Sequence, residues 1–167
     1  ASHSTSDETR QALNNLHGRI YALGLVHQRL MQSSNLATFD IRAFLDDLCG
    51  NLAVLSLADV RGIALTTEAD PLQTDLDFAG PLGLLVTELV TAALARYGEG
   101  EIGRIQVSVR RGSVGRIELT VNDDARTEPA EAESRIVLAL VRQLGGEIAI
   151  VRERGTRALV TLPDRGG

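Results

Sequence analysis

A chain of 167 residues with 44% hydrophobic and 23% charged residues has the balance of a globular protein, and its length suits one domain with an appended element. The net charge is −5 and the 17 Lys and Arg are spread along the chain, which argues against binding to nucleic acid. The longest apolar runs, such as Leu82–Val86, fall far short of the roughly 18 residues that a membrane helix needs. The single cysteine, Cys49, has neither a disulfide partner nor a ligand cluster around it, which predicts a cytoplasmic protein.

The first periodic segment predicts a long helix with a narrow apolar stripe. Spacings that alternate between three and four residues define this stripe, called the seam below, at Leu13, Leu16, Ile20, Leu23, His27 and Leu30. Thr5 and Glu8 match a capping box, so the helix is expected from Asp7 to Gln32. Because so narrow a seam usually packs in a helical bundle or across a dimer, residues 1–36 are expected to form a dimerisation helix.

A second helix is expected to begin next to Asp40, which is a suitable N-cap, with Phe39 and Phe44 at the positions of a hydrophobic staple. Beyond it, the alternation of apolar residues over 63–67 predicts the first strand of an α/β segment. Residues 37–167 are therefore expected to form a second domain.

The rest of this domain alternates between helices and strands. A short strand is expected to end at Leu76, and Pro81 to lie near the start of a helix that runs to Arg96. The remaining expected elements are a β-hairpin at 105–121, a helix from Ala130 to Leu144 that ends at Gly145-Gly146, and a second hairpin at 148–162. This order predicts an α+β sandwich, a mixed sheet with its helices on one face.

Several segments carry a resemblance to a known family. RIYALGLVHQRL at 19–30 resembles the second dimerisation helix of the atypical, HWE-related histidine kinases. ELVTAAL at 88–94 is similar to the N box of the GHKL ATPases, VNDDA at 121–125 resembles their G1 box, and VRQLGG at 141–146 looks like the end of the helix after their ATP lid. The resemblance runs from Arg10 to Pro163 and implies a Bergerat-type ATPase fold preceded by the second helix of a helical hairpin, whose first helix is missing here.

The resemblance also implies roles for single residues. Glu88 stands where the family has its N-box Glu, a candidate general base, and Asp123 where the family has the Asp that reads the adenine amino group. Ala92 replaces the Asn that helps to hold Mg²⁺, Ala95 replaces a Lys, and Ala125 replaces a Gly. From the residues alone, Asp123 suits a turn equally well, and Glu88 suits a solvated or salt-bridged helix position.

The phosphate end of the implied site departs furthest from the family. The Gly-Leu-Gly that would cradle the phosphates falls on 131–133, where Glu131 and Glu133 replace the two glycines. Acidic side chains at a helix N-terminus satisfy the helix dipole themselves and repel a triphosphate. The preceding segment, 124–130, contains no Gly and is short for a lid.

Three functions follow as hypotheses. The first is a degenerate, pseudo-kinase signalling core that dimerises and needs neither a cofactor nor a metal. The second is an active fragment that uses ATP and Mg²⁺, with its acceptor His upstream, since the family's acceptor motif is absent from this sequence. The third is a phosphotransfer protein that would use His17 or a His outside this sequence, because His27 lies on the seam, where packing is the simpler interpretation. A response regulator and a sensory domain are possible partners for each.

Overall fold

The computed structural model describes residues 2–32, 39–127 and 134–165. The helices are α1 (Ser2–Gln32), α2 (Ile41–Leu55), α3 (Ala58–Arg61), α4 (Leu76–Ala95) and α5 (Arg135–Gln143). The strands are β1 (Phe39–Asp40), β2 (Ile63–Ala69), β3 (Gln73–Thr74), β4 (Gly103–Arg111), β5 (Arg116–Asp123), β6 (Glu147–Arg152) and β7 (Thr156–Pro163).

The centre of the fold is a five-stranded sheet in the order β2-β4-β5-β7-β6. β2 pairs with β4 in parallel, and the other neighbours are antiparallel. Every second residue of the three central strands is buried, because side chains alternate between the faces of a strand. The buried apolar side chains are Ile105, Val107, Val109, Ile117, Leu119, Val121, Ala158, Val160 and Leu162. Helices pack on this face, which confirms the predicted α+β sandwich with a mixed sheet.

Helix α4 is the core helix of the sandwich. Asp75 caps it, and its Oδ1 accepts a hydrogen bond of 2.8 Å from the backbone N–H of Phe78. Among the described residues, α4 alone is long and apolar enough to pass for a membrane helix, with a mean hydropathy of 1.7. Since 67% of that apolar stretch is buried inside the protein, its position in the core accounts for its composition.

Three predicted element boundaries are corrected. The short strand expected to end at Leu76 is wrong: β3 ends at Thr74, and Leu76 begins α4 because Asp75 caps the helix there. Pro81, expected near the start, therefore lies inside that helix. The capping box at Thr5 is wrong as well, since α1 already begins at Ser2 and the Thr5 carbonyl accepts a hydrogen bond of 2.8 Å from the Thr9 hydroxyl.

Other predicted ends are confirmed. The Asp40 side chain accepts a bond of 3.3 Å from the Ala43 N–H at the start of α2. Gly145 follows α5 with a φ of +72°, the left-handed conformation that glycine tolerates at a helix end. A fourth predicted boundary, the start of that helix at Ala130, is wrong, because Ser134 is the non-helical N-cap and α5 begins at Arg135. The Phe39 side chain of the predicted staple lies outside the described residues.

Candidate nucleotide site

Asp123, the last residue of β5, is bound by an arginine of the same chain. Its side chain is completely buried, and Oδ2 accepts hydrogen bonds from Arg96 Nε at 2.9 Å and Nη2 at 2.7 Å. Oδ1 accepts a third bond of 3.1 Å from the backbone N–H of Ala125. A buried carboxylate is tolerated only when it is paired and hydrogen-bonded, and Arg96 meets this requirement here. Sequence reasoning placed Arg96 at a helix end and missed this role.

Thr156 on β7 lies directly opposite Asp123 in the sheet register. Its side chain is buried, and Oγ1 has no hydrogen-bond partner within the described part of the chain. The preceding turn reaches Asp123 because Gly155 has no side chain: a Cβ there would lie 1.9 Å from the Asp123 carbonyl oxygen. The sequence was interpreted only as a hairpin with its turn at Arg154-Gly155, so the place of Thr156 beside Asp123 was also missed.

Asp124 makes a second, separate set of bonds. Its Oδ1 accepts a hydrogen bond of 2.6 Å from the Tyr97 hydroxyl and one of 2.8 Å from the backbone N–H of Arg104. Burial alone would raise the pKa of Asp124, but the bonds from Tyr97 and Arg104 outweigh it and hold that pKa below its usual value. Burial, and then the bond to Asp124, raise the pKa of Tyr97. Asp124 thus joins the end of β5 to β4 and to Tyr97, two residues after the end of α4.

Glu88, the candidate general base on α4, is also paired with an arginine. Arg19 Nε on α1 lies 2.5 Å from Glu88 Oε1, and the Glu88 side chain is only 10% exposed against 37% for Arg19. The bond to Glu88 raises the pKa of Arg19 above its usual value, although partial burial acts in the opposite direction. No motif or spacing predicted that these two residues would pair.

Three of the substituted positions, 92, 95 and 125, carry no polar side chain. Ala92 and Ala95 are exposed on α4, and Ala125 is buried after β5. Their methyl groups have no atom that ligates Mg²⁺ or bonds a phosphate. Glu131 and Glu133 lie outside the described residues. Among the residues that are described, no group of three or more His, Cys, Asp or Glu is arranged to hold a metal ion.

The seam lies on the outer face of α1. Leu13, Leu16, Ile20 and Leu23 are 50–58% exposed, and His27 is exposed as well. The Leu30 side chain is outside the description, and His17 is exposed away from the seam. The opposite face of the helix is buried against the domain through Gly18, Ala22 and Leu25. The seam is therefore open to a partner while α1 is docked.

Comparisons with known proteins agree with this architecture. A family model described as Histidine kinase (HisKA_2) matches residues 1–56. The chain is 30% identical over 160 residues to blue-light-activated histidine kinase 2 of Erythrobacter litoralis, covering 89% of this chain and 46% of that protein. The solved histidine kinase domain of the Erythrobacter litoralis blue-light activated histidine kinase is 28% identical, with a TM-score of 0.79, and the match covers 90% of this chain and 75% of that one.

A more distant solved structure, ShkA in complex with AMPPNP, is 17% identical with a TM-score of 0.61. The match covers 99% of this chain and 39% of ShkA, and it shows the fold alone.

The fold and the site define an ATPase-like α+β domain of the histidine kinase type with an N-terminal helix. The chain belongs to the histidine kinase family, in its HWE-related branch, as the motifs at 19–30 and 88–94 predicted. It spans about half the length of the curated relative that it matches, 46%.

Proposed function

We propose that this chain is a pseudo-kinase core, which relays a signal by conformation and does not bind ATP efficiently. One observation carries the proposal: both acidic residues retained at the candidate site are already paired with arginines of the same chain, Asp123 with Arg96 and Glu88 with Arg19. The site is thereby neutralised without a ligand.

The adenine end is closed by Arg96. An adenine amino group that bonds to Asp123 either takes the one lone pair left on Oδ1 of a completely buried carboxylate or displaces an Arg96 donor from Oδ2. Breaking a buried ion pair on one side leaves an uncompensated charge, which typically costs about 3–5 kcal/mol. A nucleotide has to recover this free energy from other contacts.

The phosphate end does not supply those contacts. Phosphoryl transfer depends on positioning and on neutralisation of charge by a metal ion, basic side chains and backbone N–H groups. Ala92 and Ala95 offer none of these where the resemblance expects Asn and Lys. Glu131 and Glu133, which the sequence aligns with the same end, repel the phosphates of a nucleotide because both carry negative charge. No cofactor is therefore part of this proposal.

A calorimetric titration of the purified chain with Mg-ATP tests the proposal. We expect no saturable binding at millimolar nucleotide, which corresponds to a binding free energy weaker than about −4 kcal/mol. ShkA titrated with Mg-AMPPNP, the nucleotide analogue in its solved complex, serves as the positive control. A micromolar dissociation constant for this chain contradicts the proposal and favours the active, ATP-using fragment.

The seam supports dimerisation as part of the same proposal. Four large apolar side chains in a heptad-like spacing are half exposed, and a helix from a second copy can cover them. We expect a dimer by light scattering, and we expect Leu16→Glu with Leu23→Glu to give a folded monomer. Val114→Glu, at a fully exposed position in the β4–β5 turn, is the control that should stay dimeric. A wild-type chain that is monomeric at high concentration contradicts the dimer and assigns the seam to another helix.

A cytoplasmic location, and a sensory domain or a response regulator as partner, belong to this proposal too. The buried free thiol of Cys49 fits a reducing compartment.

A further inference from the structure

We propose that the corner between α2 and α3 is a docking surface for a partner protein, which binds there through an amphipathic helix with Lys or Arg beside its apolar face. This surface, called the corner patch below, consists of the side chains of Val54, Leu57, Val60 and Ile102. The inference goes beyond the proposed function, because none of these residues belongs to the candidate nucleotide site or to the seam. It does not depend on how ATP interacts with the chain.

The four side chains of the corner patch leave most of their surface in water, since they are 60–82% exposed. Three of them lie within residues 54–60, at the end of α2 and in α3. Ile102 reaches the same corner, because a Cβ added at Gly62, directly after α3, would lie 2.7 Å from Ile102 Cγ2. Single exposed apolar residues are common on soluble proteins, but a group of large ones in one place marks an interaction surface.

The backbone of Leu57 opposes a large side chain at this position. Leu57 has a φ of +54° and a ψ of +37°, and among the described residues it alone combines a positive φ with a side chain. In this left-handed conformation the Cβ lies too close to the following carbonyl oxygen, a contact that glycine avoids. A leucine that is both strained and mostly exposed contributes little to this fold, so we infer that its side chain serves a partner.

The corner patch continues into a groove that partner side chains can enter. Val60 lines this groove of about 710 Å³ together with Leu52 and Leu55 of α2, and α1 and the loop 97–100 line it as well. The residues of the patch lie in helices and loops, so they offer no free strand edge to an extended peptide. A partner must therefore bind through its side chains, which a helix presents on one face at intervals of three and four residues.

Two helix ends give the groove a negative potential. Both α2 and α4 end at the groove, and the carbonyl end of a helix carries partial negative charge. Neither helix has a basic residue in its last turn. Arg61 Nη2 lies 3.2 Å from the Leu94 carbonyl oxygen and 3.3 Å from that of Tyr97, so this cation is already engaged.

Exposed carboxylates add to this negative charge. Asp59 precedes Val60 in α3, and Asp7 and Glu99 line the groove, against Arg10 as its basic residue besides Arg61. Lys or Arg on the flank of a docked helix would meet this excess of negative charge. A second copy of the chain would bring the same acids against each other, and like charges repel, so the charges favour a basic partner over self-association.

Two labelled synthetic peptides test the docking surface on the full chain without nucleotide. One has Leu at intervals of three and four residues with Lys between them, and the other has the same Leu positions with Glu in place of Lys. We expect fluorescence anisotropy to show saturable binding of the Lys peptide and about tenfold weaker binding of the Glu peptide. The chain with Leu16→Glu and Leu23→Glu should give the same result, which excludes the seam as the binding surface.

Leu57→Gly with Val60→Ser removes two side chains from the corner patch. We expect this double variant to bind the Lys peptide about tenfold more weakly than the wild type does. Its midpoint of unfolding in urea should not fall, because both side chains are mostly exposed and glycine suits the positive φ at 57. Val114→Ser is the control: it removes an exposed apolar side chain from the β4–β5 turn and should bind like the wild type.

Four results overturn the docking surface: no saturable binding of the Lys peptide, equal binding of the two peptides, equal binding by the wild type and the double variant, or a lower unfolding midpoint of that variant. The last result would show that Leu57 and Val60 serve the fold itself. A change from dimer to monomer in the double variant, measured by light scattering, also overturns it, because a second copy then covers the patch. Mg-ATP binding by the wild-type chain, in contrast, contradicts the pseudo-kinase proposal and leaves the peptide result unaffected.

Discussion

Asp123 and Arg96 show how one neighbouring side chain decides what a carboxylate can bind. The motif VNDDA at 121–125 was enough to place Asp123 at the end of a strand, and the structure has it at the end of β5. The residue that reaches this carboxylate is set by where α4 ends relative to β5. The spacing of residues in the sequence does not show how far the end of α4 lies from the end of β5, so the pairing of Arg96 with Asp123 was not predicted.

Replacement of Arg96 by Ala should be strongly destabilising, because it leaves a completely buried carboxylate without its cation. We expect the free energy of unfolding to fall by about 3–5 kcal/mol in chemical denaturation. Arg110→Ala removes a guanidinium from an exposed pair with Glu68, where both side chains are more than half exposed, and should cost less than about 1 kcal/mol. Equal effects of the two variants would show that the Arg96 pair is not energetically distinct.

At the scale of elements, Tyr97 and Asp124 hold three elements together. The Tyr97 hydroxyl, just after α4, donates its hydrogen bond to Asp124 after β5 and lies 2.8 Å from the Arg104 carbonyl oxygen of β4. This contact fixes the end of the core helix at the edge of the sheet where the candidate site lies.

The Asp124 contact should make stability depend on pH. The folded state holds the pKa of Asp124 below its usual value. The charge of Asp124 therefore stabilises the protein at every pH above that usual pKa, and this stabilisation is lost as the pH falls through the lowered pKa. Asn at 124 keeps the acceptor oxygen but not the charge. Because Asp124 is exposed and water screens its charge, we expect Asp124→Asn to be less stable than the wild type by less than about 1 kcal/mol at pH 7, a difference that should vanish in strong acid. Urea unfolding at several pH values measures it, and a difference that grows in acid contradicts the assignment.

Element types were predicted more accurately than element ends. The hairpins β4–β5 and β6–β7 followed from strict alternation, which local sequence determines. The start of α4 was missed, although Asp75 and Phe78 are spaced as a cap and its bonded amide, because Leu76 was assigned to the preceding strand. The two-residue strands β1 and β3 are too short for any periodic signal.

For the whole molecule, the seam and the sandwich were both predicted, but the way in which they join was not. Gly18 and Ala22, which dock α1 on α4, give no hydrophobic signal, so α1 was predicted as a helix that packs only through its seam. The parallel pairing of β2 with β4 is a long-range contact that periodicity does not report. The structure instead has α1 packed on the core helix by one face and open on the other.

The central claim is that the chain's own arginines occupy the site that a nucleotide would need. The backbone amide of Ala125 is the most direct probe of this claim, because its N–H is bonded to Asp123 Oδ1. Amide NMR spectra recorded during addition of Mg-ATP should show this signal unchanged up to millimolar nucleotide. A saturable shift of the Ala125 signal with a micromolar midpoint would contradict the claim.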